Sequence, residues 1–391
     1  MNRWPTKPLG ELCDVRIGRT PRRDEPRFWG GDAVWVTIRE LNGGEITASK
    51  EKISEAAVRE CMSDQVPVGT LLFSFKLSIG KMAVAGCPLY TNEAIAALPI
   101  RDPAKLSRDF LRYALLAESH EGTANTAVLG KVLNKEKVQQ LPISVPPLAE
   151  QERIVKLLDE ADELRKLRTQ ADRRTTTLIP SLFHEMFGDP DTNPFGWPVA
   201  RAGELMDACD YGTSQKANEE GRGIPVLRMG NVMIDGSLDL EELKTVELGD
   251  SELAKQRLQV GDVLFNRTNS RELVGKTGMW DGRFEAVPAS YFIRARFRPN
   301  AEHPQHFTTF MNLPSMKRRL AGMARGAVGQ ANINSKELKS IEFPVPPVKL
   351  QSEFASRVAK IRAMEVQQLL SRQKLDALFQ SLLHRAFRGE L

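Results

Sequence analysis

The sequence repeats itself at a shift of 200 residues, so any fold for it must be built twice. Between 134–187 and 334–387 the two stretches match without a gap at ten positions. These are Asn134/Asn334, Val145/Val345, Pro146/Pro346, Pro147/Pro347, Gln151/Gln351, Leu178/Leu378, Ser181/Ser381, Leu182/Leu382, His184/His384 and Phe187/Phe387. Upstream the match is looser. Trp4-Pro5 answers Trp197-Pro198, the run Val68–Phe73 answers Val260–Phe265, and Gly80-Lys81 answers Gly275-Lys276. A period this long exceeds that of a solenoid, so each copy reads as a domain carrying an attached element. The length of 391 residues agrees, at about 150 residues per domain.

Each copy opens with mixed character. Val34–Ile38 and Leu71–Phe75 read as strands, as do Ile224–Leu227 and Val263–Phe265 in the second copy. Asn42-Gly43-Gly44 and Asp235-Gly236 supply turns, and Ser107–Leu116 and His306–Leu313 read as short helices. The expected fold class is α+β (mixed α/β). Each copy then closes on a long helix after Val145-Pro146-Pro147 or Val345-Pro346-Pro347, where the prolines stop an extended segment. Ile154, Leu157, Leu158, Ala161, Leu164 and Leu167 recur at three-four spacing, as do Phe354, Val358, Ile361 and Met364. Arg168 and Gln368 interrupt the stripes. Pro180 predicts a break near the end of the first helix, and Gly188-Asp189-Pro190 ends it. Two such helices in one chain are expected to bury their stripes on each other as an antiparallel coiled coil. The expected divisions are a first domain over 1–147, a helix over 148–187, a second domain over 188–347 and a helix over 348–391.

Catalytic constellations are not evident. Four scattered cysteines and five histidines give no metal spacing, and His303-Pro304-Gln305-His306 has no Cys or carboxylate partner at ligand spacing. Gly275-Lys276-Thr277 resembles the end of a phosphate loop, but Ser270 stands where its first glycine belongs. Asn193-Pro194-Phe195 lacks the second proline of the adenine-methyltransferase tetrapeptide, and Glu242-x-Lys244 and Glu337-x-Lys339 are each half a nuclease motif at most. No catalytic, cofactor-binding or metal residue is therefore nominated. The longest apolar run, Ala94–Ile100, is far short of the ~20 residues that span a bilayer. Neither does Met1-Asn2-Arg3-Trp4-Pro5 open a secretory signal, so a reduced, cytoplasmic protein is expected.

Basic loops carry more information. A formal charge of +5 permits a polyanionic partner. Arg16, Arg19, Arg22, Arg23 and Arg27 crowd together with only Asp24 and Glu25 between them, and Arg267-Thr268-Asn269-Ser270-Arg271 precedes Lys276 in the second copy. Arg and Asn forks match guanine and adenine edges, while Lys suits phosphates. The candidate DNA contacts are Arg16, Arg19, Arg22, Arg23, Lys76, Lys81, Arg267, Asn269, Arg271, Lys276, Arg325 and Gln330, taken to recur in equivalent loops of the two copies.

Two variable domains, each followed by a Pro-Pro turn, a Gln and a long helix ending Ser-Leu-x-His-x-x-Phe, resemble the specificity subunit of type I restriction–modification systems. Leu141–Ile154 with Ser181–Gly188, and Ile341–Phe354 with Ser381–Leu391, carry the resemblance. Lys349-Leu350-Gln351 departs from the family's usual Glu before the Gln, seen in Glu150-Gln151, a departure that bears on where the second helix starts. Gly389-Glu390-Leu391 is a family-like ending, from which a complete chain is expected. The resemblance implies that each domain reads half of a split, asymmetric double-stranded DNA site. It also implies that the helices form a spacer docking two modification (adenine methyltransferase) subunits, with restriction/translocase subunits joining them. The chain itself is then non-catalytic, without cofactor or membrane. Two rival readings stand beside it: a helical protein-interaction scaffold, and a self-contained methyltransferase or nuclease.

Overall fold

Strands Leu71–Ser74, Met82–Ala85 and Ile95–Leu98 are buried along their whole length because both faces of their sheet are covered. Leu71, Phe73, Met82, Val84, Ala96 and Leu98 point into one core, and Leu72, Ala83, Ala85, Ile95 and Ala97 into another. Period-two alternation thus survives as a choice between two apolar layers rather than between apolar and polar. The second copy does the same, with Val263, Phe265, Ile293 and Ala295 on one side and Leu264 and Phe292 on the other.

These observations come from a computed structural model that describes residues 4–120, 134–324 and 331–391. The chain divides into two compact units, Met1–Leu167 with Ser371–Leu391, and Arg168–Leu370. In unit 1 the main sheet runs Arg16–Ile17, Ile95–Leu98, Leu71–Ser74, Met82–Ala85, Glu45–Ile46 in spatial order. A smaller sheet runs Glu51–Ile53, Trp29–Val36, Tyr90–Thr91, and Thr6–Pro8 pairs with Pro142–Ser144. In unit 2 the main sheet runs Met206–Tyr211, Phe292–Phe297, Val263–Asn266, Thr277–Met279. Its smaller sheet runs Lys244–Val246, Ile224–Leu227, Val287–Pro288, and Val199–Arg201 pairs with Glu342–Pro344. The strand orders correspond over the first four strands of the main sheets and throughout the smaller ones, with Glu45–Ile46 an addition in unit 1. Helices Arg108–His120 and Pro304–Asn312 occupy the expected short-helix positions. The architecture is mixed helix and sheet with a long C-terminal helix.

The long helices begin at equivalent residues, Leu148 and Val348, so the departure at Lys349-Leu350 does not shift the second start. In each, a fully buried glutamine ties the helix to its domain. Gln151 Oε1 accepts the Ser107 N–H at 2.8 Å, and its amide donates to the Lys105 and Pro146 carbonyls at 2.7 and 2.8 Å. Gln351 Oε1 accepts the His303 N–H at 2.7 Å, and its amide donates to the Pro346 carbonyl at 2.7 Å. Ile154, Leu158 and Ala161 then enter the unit 1 core together with Phe379, Leu383 and Ala386 of the C-terminal helix. Phe354 and Val358 enter the unit 2 core with Ile179, Phe183 and Phe187.

The first helix is interrupted earlier than its proline. It runs Leu148–Thr175, Thr176 and Thr177 intervene, and a second helix runs Leu178–Phe187. Pro180 cannot donate to residue 176, but within a first turn it leaves no helical bond unmade. Hydroxyls add bonds to the carbonyls of the last turn: Thr175 Oγ1 donates to Ala171 at 3.0 Å, Thr176 Oγ1 to Arg173 at 2.7 Å and Thr177 Oγ1 to Arg174 at 2.9 Å. The C-terminal helix has Gln380 in place of the proline and runs unbroken over Val348–Arg388.

One expectation of the sequence is corrected here. His306 does have a carboxylate partner, one helical turn back: its Nδ1 lies 2.6 Å from Glu302 Oε1, with both residues buried. Among the described residues no helix is long and apolar enough to cross a membrane.

Candidate nucleic-acid interface

In unit 1 the loop after strand Arg16–Ile17 carries the arginines. Gly18 lets this loop press against the neighbouring strand, since a Cβ there would lie 1.9 Å from the Thr91 carbonyl oxygen. The Arg19 N–H then donates to that carbonyl at 2.8 Å. Three of the five arginines are occupied by carboxylates. Arg16 pairs with Asp14 at 2.7 Å, and Arg27 with Glu25 at 2.7 Å and Glu60 at 2.8 Å. Arg23 takes both oxygens of Glu51 and lies over the rings of Trp29 and Trp35, 4.2 and 5.0 Å from their centroids. Its hydrogen bonds hold the Glu51 carboxyl below the usual carboxylate range. Arg22 reaches only Asp24, at 3.2 Å, and both side chains are largely exposed. Arg19 is exposed at the mouth of a cleft of about 370 Å³ lined also by Arg16, Ser63, Asp64 and Lys135. The loop is therefore less cationic than its sequence suggests. Arg23 and Arg27 are exposed but held by carboxylates at more than one guanidinium nitrogen, and Arg19 and Arg22 are the exposed guanidiniums without such a grip.

Lys76 and Lys81 lie in the hairpin between strands Leu71–Ser74 and Met82–Ala85. Ser74 Oγ accepts the Lys81 N–H at 3.0 Å, and Leu77 at the tip is 91% exposed with φ +61°. Lys81 is exposed, and the Lys76 ammonium sits 5.4 Å from the Phe75 ring centroid.

By strand order, that hairpin corresponds to residues 267–276 of unit 2. The arginine loop corresponds instead to the one after Met206–Tyr211, so the two basic loops are not equivalents and that expectation is corrected. Gly212 repeats the close approach of Gly18, with a Cβ that would lie 2.3 Å from the Ala289 oxygen, and the Thr213 N–H donates to Pro288 at 2.8 Å. Where unit 1 continues Arg19-Thr20-Pro21-Arg22, unit 2 continues Thr213-Ser214-Gln215-Lys216. Ser214, Gln215 and Lys216 are exposed, yet sequence reading passed over them. The shared glycine after a strand was the signal that could have found them.

The 267–276 segment is more built-in than a surface loop. Thr268–Asn269 pairs with Ala331–Asn332 as a short ladder. Arg267 lies over the Tyr211 ring at 4.7 Å with its Nε buried and unpaired, and Asn269 bonds Asn266 and the Ser270 N–H at 3.2 and 2.9 Å. Arg271 is exposed. Lys276 is not the accessible phosphate contact its sequence suggested. It is 8% exposed, it donates to the Met229 carbonyl at 2.8 Å, and burial pushes its ammonium pKa down. Lys317 donates beside it to the Gly275 carbonyl at 2.6 Å, and burial with the nearby Lys276 charge pushes its pKa down to about 7. Arg325 and Gln330 lie outside the described residues.

The motif fragments set aside earlier have structural roles. Asn193 closes a turn with φ +44°, its amide bonding both backbone groups of Trp197 at 2.8 and 2.9 Å. Glu337 completes a capping box with Asn334. Among the described residues no group of three His, Cys, Asp or Glu is arranged to hold a metal.

A family model described as the type I restriction modification DNA specificity domain matches residues 1–173 and 194–371. The type I restriction enzyme EcoKI specificity subunit of Escherichia coli K12 is 36% identical, over 99% of this chain and 89% of that one. Of solved structures, a chain described under complex assembly and conformational transition of the type I R-M system superposes with TM-score 0.66 at 20% identity, covering 99% of this chain and 98% of its own. The S subunit of a type I restriction-modification system from M. genitalium superposes with TM-score 0.55 at 14% identity, covering 98% and 96%. At these identities the structural likeness speaks for the fold.

Proposed function

We infer, for a chain that belongs to the type I restriction–modification DNA specificity family, that each of its two units reads one half of a split, asymmetric DNA site. The observation that carries this is a common scaffold with unlike loops. The two units share their strand order and the glycine-backed turn after the first main-sheet strand, yet present Arg19 and Arg22 in one and Ser214, Gln215 and Lys216 in the other. Like scaffolds offer DNA the same approach, and unlike side chains select different bases. Of the nominated contacts, Arg19, Arg22, Lys81 and Arg271 are the exposed side chains without a strong internal partner.

The chain is a non-catalytic subunit, and the chemistry resides in its partners, as the relatives' description as restriction-enzyme specificity subunits implies. Residues 1–147 and 188–347 form the recognition domains of a tandem, pseudo-two-fold repeat, and 148–187 and 348–391 form the spacer. Antiparallel pairing of the spacer helices is supported by Arg165–Asp376 at 2.7 Å and Thr175–Gln368 at 2.9 Å. Leu164, Leu167, Met364 and Val366 remain about half exposed along the mid-helix stripes, apolar surface suited to two modification subunits. Restriction subunits complete the complex, in the cytoplasm. Family membership disfavours both the scaffold and the self-contained enzyme.

Mapping methylated adenines in a host that expresses this chain with its modification partner tests the reading. A two-part motif with unlike halves is the expected result. A continuous or palindromic motif would overturn it.

A further inference from the structure

Loop 18–23 of unit 1 is held from beneath by two indoles. The Trp35 Nε1–H donates to the Arg19 carbonyl at 3.0 Å, and the Trp29 Nε1–H donates to the Arg22 carbonyl at 3.0 Å. The two rings meet edge to face, with centroids 5.1 Å apart and planes at 83°. Both belong to strand Trp29–Val36, which is paired on either side and so forms a rigid base. Arg23 lies across both rings while gripping Glu51 on the adjoining strand, which clamps the far end of the loop. At the near end Gly18 presses against Thr91, Thr20 bonds Glu93, and the ring of buried Pro21 fixes its own φ.

The carbonyls chosen by the indoles belong to Arg19 and Arg22, the two arginines of the loop that no strong internal ion pair claims. A hydrogen bond to a residue's carbonyl fixes the peptide plane that follows it, and with it the direction in which the side chain leaves the backbone. Unit 2 has Val226 where unit 1 has Trp35, counted from the capped turns that follow each strand, and its loop lacks the arginines. Indole and arginine are therefore present together in one unit and absent together in the other.

We propose that Trp29 and Trp35 are positioning residues for DNA reading by the first unit. Their N–H groups hold the Arg19–Arg22 backbone in one arrangement, so that both guanidiniums meet base edges without a loop-ordering step. Guanine, whose O6 and N7 accept the arginine fork, is the base class this arrangement takes. Pre-ordering sharpens discrimination, because a loop free to shift accommodates a wrong base at little cost. The proposal rests on the reading that this unit contacts DNA.

Trp29→Phe and Trp35→Phe each remove a donor and keep an aromatic ring. Each variant, assembled with its modification subunits, is assayed for methylation of the parental site and of sites mismatched singly in either half. Discrimination within the first half-site should fall about tenfold or more, with that within the second half unchanged. Trp29 is partly exposed, so its variant loses the donor with little repacking, while thermal unfolding reports on the buried Trp35 variant. Full discrimination retained in Trp29→Phe, or equal loss in both halves, overturns the proposal. A parental complex that discriminates in neither half would instead refute the underlying reading, which keeps the two failures apart.

Discussion

Gln151 and Gln351 make the same two grips in their separate units. Each side-chain oxygen accepts the N–H of the residue that opens the domain's helix, Ser107 or His303, and each amide closes on the first proline of the Pro-Pro pair. The glutamine thus joins three segments at one buried point: the extended stop, the start of the long helix, and a core helix of the unit. Replacing either by Ala leaves buried donors and acceptors unpaired, at about 1–3 kcal/mol for each orphaned group. Denaturant unfolding should show this loss for Gln151→Ala and Gln351→Ala alike. A midpoint unchanged in both would mean that the grips contribute nothing.

The cations of the 267–276 segment should separate by burial. Arg271→Ala should weaken binding by about 1–3 kcal/mol if the fork reads a base, and relax one position of the second half-site. Lys276→Ala should instead lower the stability of its unit and leave the salt dependence of DNA binding intact, since its ammonium is spent on the Met229 carbonyl. A flattened salt slope in a fully folded Lys276 variant would restore it as a phosphate contact.

Lys317 makes stability depend on pH. Its folded pKa of about 7 lies below the ordinary lysine value of 10.5, so between these values the unfolded chain binds more protons than the folded one. Stability of the unit should therefore rise with pH from about 7 towards 10.5 and be level in this respect below 7. Lys317→Met should reduce that rise, leaving the part that the lowered pKa of Lys276 contributes. Thermal unfolding between pH 7 and 10 is the measurement, and identical slopes in parent and variant would contradict the assignment.

How much of this was legible beforehand follows from range in the sequence. The Pro-Pro stops and the start of each long helix rest on local chemistry, and the structure begins those helices directly after the stops, at Leu148 and Val348. Arg23 looked available because Glu51, 28 residues on, cannot be assigned to it without the pairing of two strands. Lys276 looked exposed because its solvent shield comes from Met229 and from the helix bearing Lys317. The loops were matched wrongly for a related reason: loop sequences diverge freely, while strand order carries the equivalence. Gly18 and Gly212 preserved a trace of it, since a close backbone approach tolerates no side chain.

The spacer should act as a ruler. Four residues inserted near Leu167–Ala171 add about 6 Å of helix and keep the apolar stripe nearly in phase. DNA advances about 3.4 Å per base pair, so the unread spacer should lengthen by roughly one to two base pairs while the bases read stay the same. Methylation-site mapping beside the parent decides it. An active variant with the parental spacer would show that the helices do not set the distance.

The central claim is that one chain carries two independent readers, and exchange of one reader tests it most directly. Residues 1–147 are replaced by the corresponding domain of another specificity subunit, and the methylated sites of the chimaera are mapped in a host supplying the modification partner. One half-site should change to that of the donor, with the other half identical to the parental one. A chimaera that methylates efficiently but alters both halves, or neither, would contradict the account.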